Sequence, residues 1–488
     1  MHAHHALVLN LHQPPGNLEH LLDEQTWEAK EILFALDRMP RSLWGQEDLA
    51  RVHLSLSGTL LETLSSPDFQ ARVYGIVDCG KLLWFLQNQQ LFDILGTGYY
   101  HPVLPLIPAA DRPEHLQRWQ GIARHLFWRS RFDGFWPPEM GFSMELIPLL
   151  RRFGYRYVLV DSEHVEPLTP MSWQEIRYRP HIARHGDDQI IVVVRDRELS
   201  DAQESGMDPG WFVNEVAERT RWCDFPPLVT TATDGENGGW FRNVTDGANY
   251  WSAFYRPLLD MIRAGKANLR PSFIHDYLDT HGAHGEVHIA TGAWNTGWHH
   301  GRGFTQWTGS QTQRDVIARY ATLSQRLHAW RERQLGIEAR SAGAPGSAVD
   351  DTIEAAAAAT AATAADTTAE AAAADATTAA TDATNVATDA TTAASAPVGN
   401  GNAIPTPAAP PAPPAALPER LDDAQWHLLR AETSCNIFWG EAWCYRAAAD
   451  LDLTEDILNR LDAEATEQAR TTDQGAENPA LPVKPHQT

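Results

Sequence analysis

Short apolar runs that stop at polar loops marked by proline or glycine, each followed by a stretch of helical spacing, recur along the first part of the chain. Ala6-Leu7-Val8-Leu9-Asn10-Leu11 predicts a buried strand that ends at His12-Gln13-Pro14-Pro15-Gly16, and helical spacing follows over 19–39. Residues 52–58 alternate with period two and predict a strand, then helices near 59–65 and 76–90. Phe92-Asp93-Ile94-Leu95-Gly96-Thr97-Gly98 leads into Tyr99-Tyr100-His101-Pro102-Val103-Leu104-Pro105, read as a short strand that delivers aromatics and a histidine to a proline-rich loop. Helix is expected over 113–130 and 143–153, and strands over 155–160, ending at Asp161, and 189–195. Pro226 to Ala232 runs into Thr233-Asp234-Gly235-Glu236-Asn237-Gly238-Gly239-Trp240, and Glu286 to Ala290 reads as a further strand before a helix at 314–335. This beat of strand, polar loop and helix argues for parallel strands with crossover helices. A barrel of such units carries its chemistry at the strand C-terminal ends, where every polar cluster named here falls.

The beat ends near residue 310, and 311–340 is helical. From 341 to 418 the chain turns to Ala, Thr, Asp and then Pro with almost no large apolar residue, so burial cannot offset ordering entropy and a flexible linker is expected. Amphipathic helix resumes over 419–466, and 467–488 reads as a polar tail.

Composition narrows the classes of function. The chain has 488 residues, with 39 Lys+Arg against 63 Asp+Glu and a formal charge of −24, and it lacks a basic stripe, which speaks against a nucleic-acid partner. Four scattered cysteines without CxxC spacing read as reduced thiols. No apolar run reaches the length of a membrane span and residues 1–15 lack a signal pattern, so a cytoplasmic protein with no membrane partner is expected. Eighteen Trp suit either a protein that stacks flat-faced ligands or an aromatic core.

The organising stretch is Gly134-Phe135-Trp136-Pro137-Pro138-Glu139-Met140-Gly141. The proline pair fixes φ and withholds two backbone donors, which suits a turn at the end of a buried strand that presents Glu139 beside an aromatic wall. An ordinary loop Glu next to a core Trp has the same local pattern. Asp234 and Glu236 end a second strand, though Asp-Gly is also a common turn pair. Two carboxylates on separate strand ends, with His and Trp around them, suit glycoside chemistry: one attacks or stabilises the anomeric carbon while the other protonates the leaving oxygen. His281, His284 and His288, or His299 and His300, would be the residues of a metal-dependent deacetylase, but there is no HExxH and they read better as loop histidines. Tyr99 and Tyr100 are open between packing and binding.

Five ordered segments resemble family 57 of the glycoside hydrolases, which act on α-glucans. They are His12-Gln13-Pro14-Pro15; Tyr99-Tyr100-His101-Pro102 with Leu104-Pro105; Gly134 to Glu139; Thr233-Asp234-Gly235-Glu236-Asn237; and Gly292-Ala293-Trp294 running to Phe304-Thr305-Gln306-Trp307. Cys435 to Trp443 is similar to that family's helical appendage. The resemblance implies an α/β fold, an incomplete TIM-like (β/α)7 barrel with a C-terminal α-helical subdomain. It implies retaining double displacement on α-1,4-glucans without a cofactor or metal. It makes Glu139 the nucleophile and Asp234 the general acid/base, with His12, Gln13, Tyr100, His101, Trp136, Glu236, Trp240, Trp294, Trp307 and Trp439 on the substrate. A retaining pair stands about 5–5.5 Å apart. The chain departs from the family at Ala293, where a Ser is usual and a hydroxyl partner is therefore missing, at Gly238-Gly239, and in its linker. A catalytically silent glucan-binding protein is the non-enzyme alternative.

Overall fold

The computed structural model describes residues 2–237, 240–242, 244–294, 303–341 and 416–476. Its strands in chain order are β1 (Ala3–Leu11), β2 (Val52–Leu56), β3 (Phe92–Leu95), β4 (Gly134–Phe135), β5 (Tyr157–Asp161), β6 (Val165–Pro167), β7 (His181–His185), β8 (Asp188–Arg195), β9 (Leu228–Asp234), β10 (Leu269–Pro271) and β11 (Val287–Ile289). Strands β3-β2-β1-β9-β8-β5-β4 hydrogen-bond side by side in that order, every pair parallel. The two ends meet: Gly96, just past β3, bridges Phe135 of β4 in parallel, with the Gly96 amide donating to Gly134 O at 2.9 Å and the Trp136 amide to Gly96 O at 2.8 Å. A seven-stranded parallel barrel results, and it is the expected (β/α)7 architecture. The β3–β4 seam rests on this single bridge, as β8–β9 rests on the single pair Arg195–Thr230.

The barrel strands are buried along most of their length, which is why most of them read as near-continuous apolar runs; β2 alternates in sequence, yet its His53 and Ser55 are buried as well. Some of the crossover helices start where the sequence supplies a capping oxygen, while others, such as Arg112–Phe127, start without one. Ser57 and Asp78 cap Gly58–Ser65 and Cys79–Leu86, and Asp196 and Asp208 cap Arg197–Ser205 and Pro209–Thr220. The helix expected over 19–39 is two, Asn17–Glu24 and Thr26–Leu43. That expected over 76–90 is the shorter Cys79–Leu86, started by the Asp78 cap, and a further helix that was not expected, Pro67–Val73, starts at the Ser66 cap.

Tyr99 to Pro105 is not a strand. The strand there is Phe92–Leu95, and the chain after it turns at His101, whose φ of 56° lies in the left-handed region. The pattern misleads because buried loop aromatics and strand aromatics look alike in sequence. Glu286 to Ala290 does contain a strand, but β11 pairs antiparallel with β6 outside the barrel, and β7 forms a hairpin with β8.

Helices Gln311–Ser341, Leu417–Ala431 and Cys444–Ala476 form the C-terminal helical region. The last of these carries helix into the stretch read as a polar tail. Tyr320 Oη donates to Ala431 O at 2.8 Å, and Arg319 and Arg326 reach Asp452 and Asp462 at 2.7 and 2.8 Å. The chain divides into two compact units, residues 1–331 with 421–488, and residues 332–420. Of the second unit, the described residues are the end of one helix and the start of the next, and the expected linker core at 342–415 lies outside the described residues. Among the described residues no helix is long and apolar enough to cross a membrane.

Candidate active site

The loops at the C-terminal ends of β1, β3, β4 and β9 bring His12, His101, Glu139, Asp234 and Glu236 to the same end of the barrel, where such folds carry their chemistry. Glu139 sits in a backbone conformation that non-glycine residues rarely hold, with φ 57° and ψ 17°, and Met140 follows at φ 51°. The turn holds it there. The Met140 amide donates to Pro137 O at 2.7 Å and the Gly141 amide to Pro138 O at 2.9 Å, while the Trp294 amide donates to Glu139 O at 3.0 Å. Strain of this kind persists only where the surroundings over-determine it.

Both carboxylate oxygens of Glu139 are engaged. Trp294 Nε1–H donates to Oε2 at 2.9 Å, and Ser434 Oγ–H donates to Oε1 at 2.7 Å. His101 Nδ1 lies 3.5 Å from Oε1 and 3.2 Å from Ser434 Oγ. Since the Ser434 proton points at Glu139, its oxygen is left to accept from His101 Nδ1–H. Burial pushes the Glu139 carboxyl up, but the donors His101, Ser434 and Trp294 together outweigh burial and hold it below the ordinary range. Glu139 is therefore an anion at neutral pH.

Asp234 is biased the other way. Burial, followed by the charges of Glu139 and Glu204, raises its carboxyl to about 7, against a hydrogen bond from Asn10 and the pull of Arg195. Asn10 is its register partner on β1, and Asn10 Nδ2 donates to Asp234 Oδ1 at 2.9 Å. Glu236 is pushed well above the ordinary carboxylate range by burial and by Asp234. Its Oε1 accepts from the His12 amide at 2.9 Å, and Gln13 and Asn237 also donate to its carboxylate.

The His12 and His101 rings stack, centroids 4.1 Å apart and 9° from parallel. Burial, then His101, lowers the His12 pKa well below its ordinary value, so the ring is neutral and offers one donor and one acceptor. Trp136 is fully buried and meets Trp294 edge to face at 5.4 Å. Both ring nitrogens of His12, Nε2 of His101, Nε1 of Trp136 and Oε2 of Glu236 are buried without a protein partner. Orphaned polar atoms in one place suit a ligand that carries many hydroxyls.

Of the residues singled out in the sequence, the structure thus gathers Glu139, Asp234, His12, Gln13, His101, Trp136, Glu236 and Trp294. Four others have different surroundings. Tyr100 is buried against Tyr99 and His115. Trp240 donates its Nε1–H to Gln203 O at 2.6 Å and packs on Tyr250. Trp307 is fully buried against Phe438, and Trp439 is 60% exposed beside Phe438 and Trp443. His281, His284 and His288 do not converge, and among the described residues no group of three or more His, Cys, Asp or Glu could hold a metal ion. His299 and His300 lie outside the described residues.

Three contributors escaped the sequence reading. Ser434 is one and Asn10 another. The third is Arg195, which is fixed on Asp161 at 2.7 Å and Ala232 O at 2.8 Å and lies 5.7 Å from the Trp294 ring. Asn10 was legible as the one polar residue in an apolar run. Ser434 had no local signal.

The sequence profile of glycosyl hydrolase family 57 matches residues 18–285. An α-amylase of Pyrococcus horikoshii is 27% identical over 191 residues, 38% of this chain and 27% of that protein. A 4-α-glucanotransferase of Thermococcus litoralis is also 27% identical over 191 residues, 38% of this chain and 26% of its own. The chain thus spans about a quarter of the length of the curated relatives it matches. Among solved structures, a branching enzyme of Thermococcus kodakaraensis superposes with a TM-score of 0.60 at 13% identity, over 94% of this chain and 90% of that one. An α-amylase of Thermotoga maritima superposes with a TM-score of 0.57 at 13% identity, over 95% and 94% of the two chains.

Proposed function

Because the chain belongs to glycosyl hydrolase family 57, we propose that it is a retaining enzyme that cleaves or transfers α-1,4-glucans by double displacement. The observation that carries this reading is the opposite protonation bias of two carboxyl groups in one site, Glu139 held ionised and Asp234 raised to about 7. An anion to attack and an acid to protonate are the two groups glycoside cleavage needs, and environments that push two carboxyls apart assign the roles. The names of the relatives, α-amylase and 4-α-glucanotransferase, agree with an α-glucan substrate.

In the first step an oxygen of Glu139 bonds to the anomeric carbon as the glycosidic C–O bond breaks, and Asp234 passes its proton to the departing oxygen. In the second, the ionised Asp234 takes a proton from water or an acceptor hydroxyl as that oxygen bonds to the anomeric carbon and the Glu139 ester is released. His12, His101, Trp136 and Glu236 offer the orphaned donors and acceptors that sugar hydroxyls would meet, and Gln13 steadies Glu236. Tyr100, Trp240, Trp307 and Trp439 have no assigned contact with the sugar at the cleaved bond in this reading. None of these steps calls for a metal. We place the protein in the cytosol, where its unpaired thiols stay reduced.

Product analysis on maltoheptaose and amylose tests the proposal, with wild type beside Glu139→Gln and a chelator present. Wild type should give new oligosaccharides and Glu139→Gln none, and Asp234→Asn should turn over about a hundred- to ten-thousandfold more slowly. Longer products with shorter ones would mark transfer, and shorter ones alone hydrolysis. A Glu139→Gln variant as active as wild type would sink the assignment.

A further inference from the structure

The segment Glu432-Thr433-Ser434 returns from the helical region to the barrel and touches it at three consecutive residues. Glu432 Oε2 lies 2.8 Å from His115 Nε2, both side chains buried. Burial lowers the His115 pKa to about 3, and burial followed by Asp111 pushes the Glu432 carboxyl well up. The contact is a buried hydrogen bond that ties the segment to the helix Arg112–Phe127. Thr433 pairs antiparallel with Pro102. The Ser434 amide donates to His101 O at 3.1 Å. The Ser434 backbone is thus fixed to the residue whose ring it meets, with its hydroxyl 2.7 Å from Glu139 Oε1.

We infer that Ser434 is a positioning residue for the glycosyl transfer: its hydroxyl holds Glu139 Oε1 and orients the His101 ring, so that the barrel's nucleophile is completed by the helical region. The inference rests on Glu139 being the nucleophile. A hydroxyl fixed by its backbone is already oriented when substrate arrives, and such preorganised donors act where charge changes during reaction. As the glycosyl-enzyme breaks down, charge returns to the Glu139 carboxylate, and the Ser434 proton is aimed at one of its oxygens.

The test reads the acid limb of the kcat/KM profile. The titratable groups that face Glu139 are His101 from the loop after β3, Asp234 on β9, and the Cys435 thiol next to Ser434, with the Trp294 indole as the remaining donor. None of these is altered in Ser434→Ala, which removes the hydroxyl alone. Removing a donor to the ionised form raises the Glu139 pKa, so the acid limb moves to higher pH, and kcat/KM falls about ten- to a hundredfold. Ser434→Thr, which keeps the hydroxyl, should bring the limb back. If Ser434→Ala does not fold by circular dichroism, Ser434→Cys keeps the volume with a weak donor and reads the same limb. An acid limb that superimposes on wild type overturns the inference while leaving an inactive Glu139→Gln, and with it the nucleophile, intact. Activity in Glu139→Gln overturns both.

Discussion

At the scale of single residues, neighbouring carboxyls of the site are biased in opposite directions, and that arrangement has a cost in stability. An Asp whose folded pKa is raised to about 7 binds its proton more tightly folded than unfolded. Between the ordinary value near 4 and the raised one the folded state holds more protons, so this group's contribution to stability falls as pH rises through that window and stays low above it. Asp234→Asn removes the charge and keeps the oxygen that accepts from Asn10. The variant should therefore melt at the same temperature as wild type near pH 4 and at a higher one at pH 8, with the gap opening between. A constant difference across pH, measured by calorimetry, would mean that Asp234 does not titrate in this window. Activity should fall over the same range: if Asp234 is the acid, as proposed, wild-type kcat/KM declines on the alkaline side as it loses its proton. Glu139 and Asp234 were legible in the sequence because turn residues frame both. Ser434 was not, since its partner Glu139 lies 295 positions away and nothing near it departs from a helix end.

At the scale of elements, the ring closes where its strands are shortest. β4 has two residues, and Gly96 and Gly134 make the β3–β4 seam. A Cβ on Gly96 would fall 2.2 Å from the Tyr155 ring, and one on Gly134 would fall 2.3 Å from the Tyr157 ring, both tyrosines fully buried. Neither ring has room to move, so Gly96→Ala or Gly134→Ala should cost about 3 kcal/mol or more, in the upper range of overpacking. Urea unfolding reads this as a lower midpoint at an unchanged slope. A loss under about 0.5 kcal/mol would show that the seam can yield. The seam also shows where sequence reading stops. β1, β5, β8 and β9 were visible as apolar runs because both faces of a barrel strand are buried, and β2 by its alternation. β4 is too short for any periodicity, and it was inferred only from the turn that follows it. The expected strand over Tyr99 to Pro105 is the converse case, a loop whose aromatics are buried as deeply as a strand's. β11 was visible as a strand, but nothing in its own residues says that it pairs outside the barrel. β6, β7 and β10 left no readable pattern, being short or paired at the margins.

At the scale of the whole molecule, the proposed catalytic apparatus is divided in sequence. The barrel strands end at Asp234, yet the Glu139 carboxylate takes a hydrogen bond from Ser434, beyond the Ala/Thr/Asp/Pro-rich stretch. Two consequences differ in sign. A chain that stops after Ser341 keeps every strand of the ring but loses Glu432, Ser434 and the helix that receives Tyr320, so it should be inactive. A chain in which 345–412 is replaced by about a dozen Gly and Ser residues keeps all of these. Such a linker spans about 20 Å on average, and Arg331 on the first helix hydrogen-bonds Asp422 and, at 2.9 Å, Gln425 on the next, so the two helices run close before the join. A segment with almost no large apolar residue has little apolar surface to bury. Shortening it lowers the loop-closure entropy that folding must overcome, by about 1.5 kcal/mol for this change of length. The shortened chain should thus retain wild-type turnover on maltoheptaose to within about twofold while unfolding at a slightly higher urea concentration. A folded shortened chain without activity would show that the stretch itself takes part in the reaction, and the division of labour between barrel and helices would have to be redrawn around it.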